Sequence, residues 1–163
     1  MDIREKNWIA IIGSREPTDQ QRRAVIDLIK TLNPDTDAII SGCAYGIDAL
    51  ALATGQQEGF DTIGILPWAS YNPDVQCYCT LVKTIDEFKP SHRAEAYASV
   101  EQFHPFASRL SQGAVKLHAR NYGIVRWAKS VIAAPSNKPG GGGTGQGIRL
   151  VTSLGIPITI IKP

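Results

Sequence analysis

The sequence predicts an α/β chain built on a doubly wound, mainly parallel sheet with helices on both faces. Three observations carry that reading. Short uninterrupted apolar runs alternate with segments at helical spacing, the pattern of strands buried on both faces. Glycine-bearing loops follow three of those runs, where open α/β sheets place their ligand sites. No internal repeat or long linker divides the 163 residues, so one domain spanning 1–163 is expected.

Trp8–Ile12 is a short apolar run closed by Gly13, a buried strand. Thr18 with Gln21 three residues on forms a capping box, and Val25, Leu28, Ile29 and Leu32 continue at helical spacing until Asn33-Pro34. Ala38–Ile40 is a second strand, ending at Ser41-Gly42. A helix follows from Ile47 to about Glu58, with Leu50, Ala51 and Thr54 on one face. Thr62–Leu66 is a third strand, stopped by Pro67. The stretch 69–90 mixes Tyr, Asn, Pro and Cys and reads as irregular. Ser91 is placed as the cap of a helix reaching Phe103, and a second helical pattern runs from Leu110 to Ala128. Val131–Ala134 is the fourth strand, Thr144–Leu154 a helix, and Ile156–Ile161 the last strand.

The formal charge of +2 conceals a dipole. Residues 1–101 hold nine basic and fifteen acidic side chains, a balance of −6. Residues 102–163 hold eight Lys/Arg and no Asp or Glu, a balance of +8. Such asymmetry favours one anion-binding face over a uniformly basic coat. The N-terminal residues lack the apolar run of a signal peptide and no stretch reaches membrane-spanning length, so a cytoplasmic protein without a membrane partner is expected. Cys43, Cys77 and Cys79 cannot all pair, and Cys77-Tyr78-Cys79 is too tightly spaced for a zinc knuckle. Reduced thiols, no metal and no cofactor are the expectation.

Three loops bear the chemistry. Gly13, Ser14 and Arg15 offer close backbone approach, a hydroxyl and a guanidinium, all able to hold a phosphate. Ser41, Gly42, Tyr45, Gly46 and Asp48 bracket the start of the second helix. Asp48 is an awkward phosphate neighbour there and is expected to brace the loop. Gly140, Gly141, Gly142, Gly143 and Thr144 lie between a strand and a helix, where backbone N–H groups and the helix N-terminus attract anions. Gly140, Gly142 and Gly145 formally satisfy the dinucleotide spacing, but no acidic residue follows to hold a ribose. Gly145 is followed by Gln146, not by the Lys of a Walker loop. Arg120 and Asn121 sit on a helix just before the fourth strand, where an arginine reaches a phosphate or a base. Trp68 and Tyr71 follow a strand end and are candidates for stacking on a base.

In this order, Ile11–Arg15, Ser41–Asp48, Arg120-Asn121 and Pro139–Thr144 resemble the motifs of the SLOG superfamily. This Rossmann-like group includes the DNA-processing protein DprA/Smf and the LOG/lysine-decarboxylase-like phosphoribohydrolases. The first two motifs, with Asp61–Leu66, look DprA-like, and the last two look LOG-like. The resemblance implies a nucleotide-type ligand, with phosphate against Gly141–Thr144 and near Ser14, and charge from Arg15 or Arg120. It also implies a homodimer. One departure matters: the phosphoribohydrolases carry a catalytic glutamate three residues past the threonine, and here that position is Gly147. Hydrolysing an N-glycosidic bond needs such a carboxylate.

Three functions are therefore in play. The leading one is sensing or sequestration of a nucleotide or nucleotide-derived signalling ligand, with no catalytic residue identified. The second is hydrolysis of a nucleoside 5′-monophosphate, as in the LOG enzymes. The third is single-stranded nucleic-acid binding of the DprA kind.

Overall fold

The computed structural model describes residues 1–138 and 142–163. Six strands form one sheet: β1 Asn7–Gly13, β2 Asp37–Ser41, β3 Asp61–Leu66, β4 Leu81–Thr84, β5 Ser130–Ala134 and β6 Ile158–Ile160. Their order is β4-β3-β2-β1-β5-β6. Every neighbouring pair is parallel, with Ala10 of β1 opposite Ile40 on one side and Val131 on the other. The Rossmann-like reading of the fold holds.

Side-chain alternation along β1 sends successive residues to opposite faces. Ile9 and Ile11 pack with Ile39, with Val25 and Ile29 of α1 (Asp19–Lys30), and with Ile47 and Ala51 of α2 (Ile47–Gln57). A short α3 (Pro73–Gln76) follows β3. On the other face Ala10 and Ile12 meet Ala96 and Val100 of α4 (Pro90–Phe103), Ile124 of α5 (Gln112–Val125) and Leu150 of α6 (Gly142–Leu154). Both layers are thus apolar against the sheet, and α5 lies against both α4 and α6.

The Thr18 capping box forms as expected, with the hydroxyl accepting from the Gln21 N–H and the Gln21 amide oxygen accepting from the Thr18 N–H, both at 3.1 Å. The Gln21 amide also donates to the carbonyls of Pro135 and Ile161, at 2.8 and 2.9 Å, tying α1 to the ends of β5 and β6.

The irregular middle contains a strand that the pattern does not disclose. β4 is an edge strand of four residues, Leu-Val-Lys-Thr, with its first three side chains exposed. It lacks the long apolar run of a central strand because only one of its edges is paired. Helix α4 begins at Pro90 with Lys89 at its N-cap position, so Ser91 lies within the first turn rather than capping it, and proline sits where its missing N–H costs nothing. Ser111 caps α5, its hydroxyl accepting from the Ala114 N–H, so that helix starts two residues past Leu110. The final strand is shorter than its apolar run, Ile158–Ile160. Cys43 and Cys79 lie 3.7 Å apart at their sulfurs as free thiols. Among the described residues no helix is long and apolar enough to cross a membrane.

Candidate functional site: a cleft at the switch point of the sheet

Strand order reverses between β1 and β5, since the chain runs outward from β1 through β2, β3 and β4 and then returns to β1's other side. Connections therefore diverge beyond the carboxyl ends of β1 and β5, which leaves a crevice there. A cleft of about 470 Å³ occupies that place. Its lining comes from the loop after β1, the entry to α2, the middle of α5 and the start of α6, with His104 at the end of α4.

The wall built by the first two loops is closed upon itself. Ser14 donates its N–H to the Ala134 carbonyl at 2.9 Å, and its own carbonyl accepts from the Ile47 N–H at 3.1 Å. Gly46 allows this contact, because its φ of +84° suits glycine and an added Cβ would lie 2.3 Å from the Ser14 carbonyl oxygen. Asp48 is buried, and one carboxylate oxygen accepts from the N–H groups of Gly42 and Ala44, at 3.2 and 3.3 Å. Burial raises the Asp48 carboxyl above its ordinary range, opposed by the nearby Arg120 charge and those N–H donors. The Ser41 hydroxyl donates to the Ile11 carbonyl at 2.6 Å.

The opposite wall, from α5 and α6, is open. Arg120 is only 6% exposed; its Nη1 donates to the Gly42 carbonyl, and its Cζ stands 5.2 Å from the Tyr71 ring centre. Its Nε has no hydrogen-bond partner among the described residues, and the side chain lines the cleft. His118 lines it too, with Nδ1 buried and unpartnered. Burial depresses the His118 imidazole to about 4, with neighbouring His104, Arg120 and Arg149 adding to the effect. Its ring lies 4.5 Å from that of His104. Asn121 anchors the start of α6, donating its amide to the Gly143 carbonyl at 3.1 Å and to the Gln146 side-chain oxygen at 2.8 Å. A wholly buried Gln146 Nε2 completes the set of unpartnered polar atoms.

Gly13, Ser14, Arg15, Asp48, Arg120, Asn121, Gly142, Gly143 and Thr144 all line the cleft. Gly140 and Gly141 lie outside the described residues. Ser41, Gly42 and Gly46 shape the loop from behind. Tyr45 is half exposed, and its hydroxyl donates to Asp74 at 3.2 Å. Tyr71 is buried beneath Arg120, and Trp68 packs edge-on against it with ring centres 5.5 Å apart. Tyr71 supports the arginine, Trp68 backs Tyr71, and neither ring is in the cleft lining. Glu16, His104, Ser136 and Lys138 line the cleft outside the motifs, and so does His118, which beside Arg120 reads from sequence as structural. Lys138 adjoins the glycine run and His118 is two positions from Arg120, so proximity to a motif was the available signal; His104 offers none. Among the described residues no group of His, Cys, Asp and Glu is arranged to hold a metal ion.

Residues 1–144 match the family model described as DNA recombination-mediator protein A. Among solved structures, DNA processing protein A from Streptococcus pneumoniae is similar at 21% identity and TM-score 0.63, covering 98% of this chain and 51% of that one. DNA processing protein A from Helicobacter pylori, a structure concerned with single-stranded DNA binding, aligns at 21% identity and TM-score 0.64, covering 97% and 66%. The molybdenum cofactor carrier protein of Chlamydomonas reinhardtii aligns at 13% identity and TM-score 0.63, covering 97% and 79%. The chain thus spans about half of the first protein and two thirds of the second. No curated protein matches the sequence.

Proposed function

The chain belongs to the DNA recombination-mediator protein A family, and from that premise we propose that its cleft binds the phosphate of a nucleotide or nucleotide-derived ligand, for sensing or sequestration. The observation that carries this is Arg120: a buried guanidinium that lines the cleft and whose Nε has no hydrogen-bond partner among the described residues. A buried donor left unsatisfied costs about 1–3 kcal/mol, and a bound anion removes that cost. Arg15 and Lys138 add charge, and the N-terminus of α6 adds backbone donors.

Binding is favoured over hydrolysis by the residue at position 147. A Cβ there would head between Ile12 Cδ1, at 2.9 Å, and Asn121 Nδ2, at 4.0 Å, both of which line the cleft. The position is buried behind those two lining residues and holds no carboxylate. Asp48 is committed to its loop, and Glu95 contacts the Tyr122 hydroxyl and lines a different, smaller pocket. Glu16 is exposed at the rim.

A second reading is single-stranded DNA, favoured by family membership and by the H. pylori relative. Here the cleft would take one phosphate of a longer strand. Titration separates the readings. Mononucleotides, ADP-ribose, cyclic nucleotides and an oligothymidylate are compared by thermal shift at low and high salt, in the wild type and in Arg120→Ala. A small ligand at a hundred times Kd is expected to stabilise the chain by about 2.7 kcal/mol. An oligonucleotide preference with steep salt dependence supports the second reading. No stabilisation by any of these probes overturns both, and release of free base from a monophosphate moves the assignment to the hydrolase.

A further inference from the structure

Taking the cleft as an anion site, we propose that His118 contacts the bound anion directly and takes up a proton as the anion seats, so that the cleft holds its ligand more tightly as pH falls. The inference deepens the reading above and depends on it. Geometry carries it. His118 lines the cleft, and its Nδ1 is buried with no partner among the described residues. The Nδ1 edge of the ring faces the first turn of α6: Cε1 and Nδ1 stand 3.6 and 3.7 Å from where a Cβ would sit on Gly143. That turn is where helix geometry directs free backbone N–H groups, so an anion drawn to it arrives beside the imidazole. Arg120, on the same helix two residues away, supplies the second unpartnered donor.

The groups around His118 explain why the ring waits neutral. His104 stacks on it from the end of α4, Arg149 approaches from α6, and Arg120 shares its own helix. Each disfavours a further positive charge, and burial adds to them. Across the cleft stand Arg15, Lys138, Glu16 and Asp48, and neither carboxylate figures among the groups acting on the ring. An anion entering this ring of cations reverses the balance. Its charge offsets the arginines and accepts a hydrogen bond from the imidazolium, and both favour the protonated form. The proton comes from solvent, converting imidazole to imidazolium at Nδ1 or Nε2, and no other bond changes. Linkage then requires affinity to rise as pH falls toward the imidazole's value in the free protein, by up to about tenfold per pH unit for one proton.

The test uses two probes without a phosphomonoester, so that their charge is constant between pH 5.5 and 7.5: ADP-ribose, a disubstituted pyrophosphate, and hexathymidylate lacking terminal phosphates. Calorimetric titration at pH 6 in two buffers of different ionisation enthalpy reads protons taken up per ligand. The wild type is expected to take up a measurable fraction of one proton and to bind the probe several-fold more tightly at pH 5.5 than at 7.5. His118→Gln keeps a polar side chain of similar reach and is expected to show neither effect, while His104→Gln, which removes one of the groups that hold the ring neutral, is expected to keep both in reduced form. Far-UV circular dichroism and the melting temperature confirm that each variant is folded. Should His118→Gln fail to fold, NMR titration of the wild-type His118 ring decides the matter, with its midpoint expected to move up when the probe is added. A pH slope retained in His118→Gln, or lost in His104→Gln instead, overturns the inference while the anion-site reading stands. Absence of binding by both probes at every pH overturns the two together.

Discussion

The two walls of the cleft are built from similar material and end in opposite states. The β1–α2 wall spends its polar groups on itself: Asp48 takes two backbone N–H groups, Ser41 reaches the Ile11 carbonyl, and Ser14 is tied at both its N–H and its carbonyl. The α5–α6 wall leaves Arg120 Nε and His118 Nδ1 without partners among the described residues, with Gln146 Nε2 equally unpartnered in the core behind it. Buried polar atoms are nearly always paired in folded proteins, so a cluster of exceptions points to a missing acceptor. One wall therefore sets shape and the other awaits ligand. Substitutions on the first should cost stability, and those on the second should cost affinity.

The largest effect is expected at Asp48. Asp48→Ala leaves the Gly42 and Ala44 N–H groups buried and unpaired, at a cost of about 3 kcal/mol, read as a lowered denaturation midpoint. Asp48→Asn keeps an acceptor and loses less. Its comparison with the wild type also carries a pH signature. A folded carboxyl raised by burial binds a proton that the unfolded chain releases, so the acid's contribution is greatest below its raised range and falls as pH increases through it. The wild type should thus gain on Asp48→Asn as pH falls toward the ordinary carboxylate value of 3.8. A difference that is flat with pH would show that the carboxylate is not desolvated as the geometry requires.

Next comes Arg120→Lys, which retains a cation but has no Nε–H beside the terminal donors. Affinity for an anionic probe should fall about thirtyfold, about 2 kcal/mol, with a smaller change in melting temperature. An unchanged affinity would remove the observation on which the anion site stands. Gly147→Glu tests the same wall from its floor. A Cβ here would lie 2.9 Å from Ile12 Cδ1, so the melting temperature should fall as that side chain shifts; in the folded variant the added carboxylate near Asn121 opposes the anion, and binding should weaken about tenfold. Stronger binding, or release of base from a monophosphate, would instead mark the chain as a disarmed hydrolase.

Much of this was legible because it is local. The central strands announce themselves as apolar runs, Thr18 and Gln21 as a cap, and Gly13–Arg15 as a loop at a strand end, whereas Gly142–Thr144, read from sequence as loop, form the first turn of α6. Even Asp48 as a brace follows from charge alone, since a carboxylate suits N–H groups better than a phosphate. What failed to show depends on distant pairings. β4 is recognisable only once β3 offers an edge, as four short residues carry no pattern of their own. His104 enters the cleft because α4 ends beside α5, and nothing near position 104 records that. Tyr71 reads from sequence as a ring free to stack, yet it lies buried with Arg120 across its face. The ring is the arginine's support, a role that requires knowing what covers it.

The smallest expected effect is the sharpest check on the division between walls. Tyr45 belongs to the same loop as Gly42, Gly46 and Asp48, and loop membership alone would place it among the ligand contacts. Its side chain is half exposed and its hydroxyl donates to Asp74, an acid no phosphate would approach. An exposed hydrogen bond of this kind contributes little, because water replaces either partner at small cost. Tyr45→Phe should therefore leave anion affinity within about twofold and stability within about 0.5 kcal/mol of the wild type. If affinity instead falls as far as in Arg120→Lys, the loop turns toward the ligand on binding. The β1–α2 wall would then be a mobile contact surface, and the contrast between a finished wall and an open one would hold only for the empty cleft.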